Sequence, residues 1–113
     1  MSANNFQPGF VAGGLLPINA VGGTLAPDVL GARCSTDGNG LWDCTIDDPI
    51  TDAQALITLG GGGTGPAAGI FLECSTAQVA GKMVVSVRGR RRDTGATITC
   101  NAWFKVERVP TNR

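Results

Sequence analysis

The chain has 113 residues, and its nine Lys plus Arg balance nine Asp plus Glu. That length makes one domain with a modest core, and zero net charge supplies no field to draw the chain onto nucleic acid or a membrane surface. It contains no His and no Tyr, which removes the commonest general base and metal ligand and leaves any catalysis to carboxylates, Ser, Thr, Lys or Cys.

The first 28 residues carry Pro8, Pro17 and Pro27 and glycine pairs at Gly13-Gly14 and Gly22-Gly23. Such a segment does not hold a helix. Yet Phe6, Phe10, Val11, Leu15, Leu16, Ile18, Val21 and Leu25 are too apolar for a solvated tail. Residues 1–28 therefore read as an extended arm that packs either on its own domain or on a neighbouring subunit, with a possible added strand near 23–26. The segment lacks the basic start of a signal peptide, and its prolines interrupt the apolar stretch. No run is long enough for a membrane-spanning helix.

From residue 29 onward apolar residues alternate at period two, and residues 29–113 read as a β-sandwich domain. Trp42, Cys44 and Ile46 share one face of a strand over 41–46, and Asp47-Asp48-Pro49 ends it. Ala55, Ile57 and Leu59 form the inner face of 53–59. "GGGGTGPAAG", residues 60–69, reads as a flexible loop. Ile70, Leu72 and Cys74 point inward from 69–75, and Met83, Val85 and Val87 from 82–88. "GRRRDTGA" reads as a turn. The final strand, 97–108, places Ile98, Cys100, Ala102, Phe104 and Val106 inside and Trp103 outside. With a strand over 31–36, this gives an all-β fold, an antiparallel β-sandwich or jelly roll of about six to eight strands.

Cys34 and Cys44 flank Asp37-Gly38-Asn39-Gly40, a strong hairpin signal. With one bulge residue in the turn they stand opposite each other, close enough to be bridged. Cys74 and Cys100 fall on inward faces of long strands. The reading favours bridges, 34–44 and 74–100 among three pairings, over free thiols, which at Cys74 and Cys100 would be buried. A metal site would need further ligands at matching spacing, and none is expected. A redox pair would be expected as C-x-x-C, which is absent.

Arg88, Arg90, Arg91 and Arg92 form the one charge cluster. They read as a solvated loop or a salt-bridged contact with a partner protein, ahead of a grip on phosphate, sulfate or carboxylate. No aromatic ladder accompanies them, so nucleic-acid binding is not expected. Trp103, facing outward, is read as covered by a second subunit or the arm, ahead of stacking on a sugar ring; Trp42 is read as core. Asp47 and Asp48 are ordinary turn residues before Pro49, not an acid/base pair. "GGGGTG" lacks the Lys and following helix of a phosphate loop, so no nucleotide cofactor is expected.

The run "GARCSTDGNGLWDCTIDDPITDAQALITLGG", followed by "GIFLECS", "GKMVVSVRG" and "ATITCNAWFKVERV", resembles small jelly-roll-like β-sandwich domains of bacteriophage virion proteins. Such domains occur at the tips of tail and head fibres and in related bacterial proteins. The likeness covers residues 31–109 and rests on layout: a tight Gly-containing hairpin, an aromatic-bearing strand, an acidic pause with Pro, and a last hydrophobic strand. It implies homotrimers and a structural or receptor-contacting role, with no catalytic residue to carry over; the cysteines depart from the pattern. The expected function is a trimeric capsid decoration (cement) protein, assembled in the host cytoplasm and carried on the virion. It would bind other virion proteins through its arm and through the interface candidates Phe6, Phe10, Leu15, Leu16, Ile18 and Trp103. On this reading residues 2–25 are dispensable for folding. The alternatives are a glycan-contacting fibre tip, using Trp103, the arginines or the glycine loop, and a secreted bacterial β-sandwich module.

Overall fold

Period-two alternation gives every strand one apolar and one open face, so the apolar faces must be hidden between two layers. The computed structural model describes residues 9–19, 26–62 and 69–109. Eight strands occupy them: β1 (Gly9–Ile18), β2 (Asp28–Leu30), β3 (Ala32–Thr36), β4 (Leu41–Ile46), β5 (Ala55–Gly62), β6 (Ile70–Val79), β7 (Lys82–Arg91) and β8 (Cys100–Arg108). They build two four-stranded antiparallel sheets, β2-β1-β8-β5 and β3-β4-β7-β6. The chain is an all-β sandwich, and its one helical piece among the described residues is a single 3-10 turn, Asp52–Gln54, ahead of β5.

Two hairpins stay within the second sheet, consecutive β1 and β2 are neighbours in the first, and the remaining connections cross between sheets. Ala80 and Gly81, both at positive φ, make the two-residue turn between β6 and β7, as the twist of a tight hairpin requires. Gly31, also at positive φ, takes the chain from β2 in the first sheet to β3 in the second. A side chain there would collide with the Val11 carbonyl.

The N-terminal segment departs from the expected arm. Residues Gly9–Ile18 are a sheet strand, β1, paired with β8 from Gly9↔Arg108 to Ile18↔Cys100 with a bulge at Val11. The expected boundary at residue 28 therefore does not divide the structure, since β1 on one side of it lies beside β8 on the other. Of the two packing options, residues 9–18 take the one on their own domain. Two features hid this strand in the sequence. Gly13 and Gly14 look like turn residues, but an added Cβ at either would run into the backbone of a neighbouring strand, at Phe104 and Asp28. Pro17 looks like a breaker, but β2 pairs only with Gly13–Leu15, so β1 is an edge at Pro17, where a missing N–H is tolerated. The strand proposed near 23–26 lies mostly outside the described residues; the described one is β2, at 28–30.

Three other boundaries shift. Gly60–Gly62 belong to β5, paired with Asn101–Trp103 of β8, rather than to a loop. β7 runs on to Arg91, so the turn begins only at Arg92. Residues 97–99 precede β8 and hold to β7 by a single bridge, Arg90↔Thr97, and an Ile98 N–H to Gly89 carbonyl bond.

The core is one cluster between the sheets. Ala12, Leu16 and Ile18 of β1 meet Trp42, Cys44 and Ile46 of β4, Met83, Val85 and Val87 of β7, and Ala102, Phe104 and Val106 of β8. The inward faces expected from 41 to 106 are on this side, with those of β5 and β6 half-buried at its margin, except for Ile98, which precedes β8 and is not part of the core cluster. Trp42 is 3% exposed, and its indole N–H donates to the Pro17 carbonyl at 3.1 Å, tying the second sheet to the first. Left unpaired, that buried donor would cost about 1–3 kcal/mol.

Leu16, with no exposed surface, is expected on truncation to Ala to lose about 2–5 kcal/mol, read from the urea midpoint. Deleting residues 2–25 removes β1 entirely and is expected to abolish cooperative unfolding, contrary to the dispensable-arm expectation. A truncated protein with a native-like thermal transition would contradict the assignment of β1 to the core.

Candidate functional site

The two sheets turn different outer faces to their surroundings. On the second sheet the outer face is mostly polar and internally paired, with Phe71 and Val79 open on its edge strand β6. The Ser86 hydroxyl donates to Asp43, Arg88 pairs with Asp37 at 3.6 Å, and Arg90 with Glu73 at 3.2 Å. Each pair spans neighbouring strands or the hairpin turn, as cross-strand registry dictates.

On the first sheet the outer face is largely apolar. Registry lines up Asp28, Leu15, Trp103 and Gly60 in one row across β2, β1, β8 and β5. Leu30, Gly13, Lys105 and Thr58 form the next, and Phe10, Glu107 and Leu56 the one beyond. Five large apolar side chains stand open there, from Trp103 at 43% exposure to Leu30 at 70%. The Trp103 indole lies over Gly60, where any Cβ would overlap the ring. One ring face is thus seated on the sheet. Lys105 and Glu107 pair with each other at 3.5 Å within this face. Contiguous apolar surface of this kind marks interaction sites.

The interface candidates divide. Phe10, Leu15 and Trp103 belong to this open face. Leu16 and Ile18 do not: they are fully buried between the sheets, because the alternation of β1 turns them inward. Phe6 lies outside the described residues. Leu30 and Leu56 belong to the face and were not among the candidates. Leu56 was legible as the outward residue between Ala55 and Ile57; Leu30 was not, since nothing in the sequence marks three-residue β2.

The hairpin β3–β4 holds the first cysteine pair. Cys34 and Cys44 are register partners, their sulfurs sharing a hydrogen bond at 3.0 Å. None of the four cysteines is bridged in this structure. The bond shared with Cys44 holds the Cys34 thiol below its ordinary value, against the opposing effect of burial. The same bond, then burial, pushes Cys44 up. Cys74 on β6 and Cys100 on β8 hang from different sheets, and burial pushes both up. The Cys100 sulfur sits over Gly89, where an added Cβ would overlap it. Below the cysteine pair the turn is organised by Asp37, whose Oδ1 accepts from Asn39 N–H at 2.7 Å and Leu41 N–H at 3.1 Å.

The arginines are mostly engaged. Besides Glu73, Arg90 donates to the Gly95 carbonyl at 2.8 Å. Arg91 holds Asp93 with two bonds of 2.8 Å, which keeps that carboxyl below its ordinary value. Arg92 sits in the turn against Gly69. Three of the four thus have carboxylates of their own chain as partners, which an external anion would have to displace. The turn residues Asp47 and Asp48 are not partners of this cluster: the Asp47 carbonyl accepts from Lys82, and Asp48 pairs with Arg108 at 3.7 Å. Among the described residues no group of three or more His, Cys, Asp and Glu is placed to hold a metal ion. Of the glycine loop, residues 63–68 lie outside the described residues.

No protein-family model, no curated protein and no solved structure matches this chain.

The backbone N–H groups of Asn39 and Leu41, with Arg88 nearby, favour the charged form of Asp37, whose pKa lies below the ordinary 3.8. A depressed carboxyl contributes stability above its unfolded pKa and loses it as pH falls through the folded value. Asp37→Asn is therefore expected to lower the melting temperature at pH 7, with the gap to wild type closing below about pH 3.8. Melting curves across pH 2–7 measure this, and a gap independent of pH would contradict the assigned role.

Proposed function

We propose that the chain is a non-enzymatic structural protein that assembles with copies of itself through the outer face of its first sheet, as a trimeric decoration protein on a phage capsid. The observation that carries self-assembly is the open row of Leu15 and Trp103, flanked by Leu30, Phe10 and Leu56. A second copy suits this face for two reasons. The chain has no net charge, so copies do not repel at long range. The Lys105–Glu107 pair set into the face offers one charge of each sign, which a second copy can answer. Tryptophan is the residue type most often found at the energetic centre of such contacts.

The virion setting rests on the resemblance in layout over residues 31–109. Attachment to the capsid by a free arm is not retained for residues 9–18, which are committed to the core as β1. The proposal moves the contact to the sheet face.

Native mass spectrometry of the full chain is expected to show a trimer. Leu30→Lys with Leu15→Lys is expected to give monomers whose circular dichroism remains that of a β protein. Trp103→Ala is expected to weaken assembly about 30-fold or more, the equivalent of a hot-spot loss of about 2 kcal/mol. A wild-type protein that stays monomeric at tens of micromolar contradicts the proposal.

The seated indole of Trp103 supports a second reading, a fibre tip that stacks a sugar ring on the open ring face. Glycan-array binding that vanishes in Trp103→Ala while the wild type remains monomeric would favour it. No glycan bound at any concentration tested would remove it.

A further inference from the structure

We infer that Cys34 and Cys44 form a thiol–disulfide exchange site: Cys34 takes up a low-molecular-weight disulfide of the glutathione class, and Cys44 resolves the adduct into a bridge across the hairpin. The inference is independent of the sheet-face proposal.

The register settles the geometry. Asp47 N–H bonds to the Gly31 carbonyl at 2.9 Å, and Asp37 N–H to the Leu41 carbonyl at 3.3 Å. Counting inward by twos from these bonded positions, 33↔45 and 35↔43 are hydrogen-bonded pairs of the ladder. Cys34↔Cys44 falls between them and is a non-hydrogen-bonded pair. Such pairs hold their Cα atoms about 4.5 Å apart, with side chains turned toward each other. That is within the roughly 4.4–6.8 Å a disulfide spans. The sulfurs, 3.0 Å apart, need to close by only about 1 Å to reach bonding distance. The absence of a C-x-x-C motif argued against redox chemistry, but the hairpin supplies by registry what that motif supplies by spacing.

Access gives the order of events. Cys34 is half-buried on β3, the edge strand of the second sheet, while Cys44 is fully buried on β4. A reagent from solution meets Cys34 first. The hydrogen bond that favours the Cys34 thiolate acts in the same sense. The Cys34 thiolate attacks one sulfur of the small disulfide; a Cys34–S–S–R bond forms and one RS⁻ leaves. Cys44 gives up its proton to solvent and attacks the Cys34 sulfur of that adduct; the Cys34–Cys44 bond forms and the second RS⁻ leaves. Two protein thiols are oxidised, and one RSSR is reduced to two RSH. The bridge fastens β3, bonded within its sheet on one side only, to β4, and reduction by excess RSH reverses it.

The test uses the full chain, reduced and then equilibrated in buffers of defined oxidised-to-reduced glutathione ratio, quenched by alkylation and mapped by mass spectrometry. The expected wild-type product has lost two hydrogens, carries no glutathione, and has its bridge between Cys34 and Cys44. It is expected to melt roughly 10 °C higher than the reduced protein. Cys44→Ser is expected to trap glutathione on Cys34. Cys34→Ser is expected to slow adduct formation at Cys44 by about tenfold or more, because that sulfur is inaccessible. Four thiols that remain alkylatable in the most oxidising buffer would overturn the inference. So would a bridge mapped to any other pair, or a folded Cys44→Ser protein with no adduct at Cys34. The wild-type map decides the matter even if a variant does not fold.

Discussion

The pairing of β1 with β8 is the contact on which the rest of the sandwich depends. It places β1 between β2 and β8, so without it the first sheet loses its link to β2. The core would lose Ala12, Leu16 and Ile18, and Trp42 would lose the Pro17 carbonyl that satisfies its N–H. Burying side chains the size of Leu16 and Ile18 contributes about 1.5–3 kcal/mol each, a large share of the stability of a domain this size. The pairing is possible because Gly13 and Gly14 have no Cβ to hold the neighbouring backbones off. A segment that looks like a tail is thus a strand whose small residues are required by its position.

With its core closed, the molecule differs chiefly in what its two outer faces present. Polar groups on the second sheet answer one another: Glu73 pairs with Arg90 and the turn residue Asp37 with Arg88, and Asp43 accepts from the Ser86 hydroxyl. Exposed ion pairs of this kind add little stability, but they answer most of that face from within, and its open apolar residues, Phe71 and Val79, lie on the edge strand β6. The first sheet has no such network beyond Lys105 and Glu107 among its described outer residues. Its open apolar side chains gain by being covered, and the seated indole of Trp103 is ordered before any partner arrives, which lowers the entropic cost of binding.

The β3–β4 hairpin joins two roles in a few residues. Asp37 fixes the turn, and the turn fixes the register. The register then brings Cys34 and Cys44 face to face in the pair type that approaches most closely. The sulfur chemistry follows from backbone geometry, and no charged group has to be brought in to activate it. An edge strand is where such a fastening has most to do, since β3 is free to fray on its open side.

Side-chain alternation from residue 41 onward determined the all-β class, the inward rows of β4, β7 and β8, the outward Trp103 and the hairpin around Asp37-Gly38-Asn39-Gly40. These are local matters: period two and turn chemistry are written in consecutive residues. Tertiary structure alone decided that residues 9–18 are a strand, that Leu16 and Ile18 are core while Leu15 is surface, and that Gly60–Gly62 continue β5. It also decided that Arg88, Arg90 and Arg91 have carboxylates of their own chain as partners. Each of these depends on what a distant strand places opposite the residue. A glycine reads as a turn until a neighbouring backbone or an indole occupies the space its missing side chain leaves, and one sequence carries no record of that neighbour.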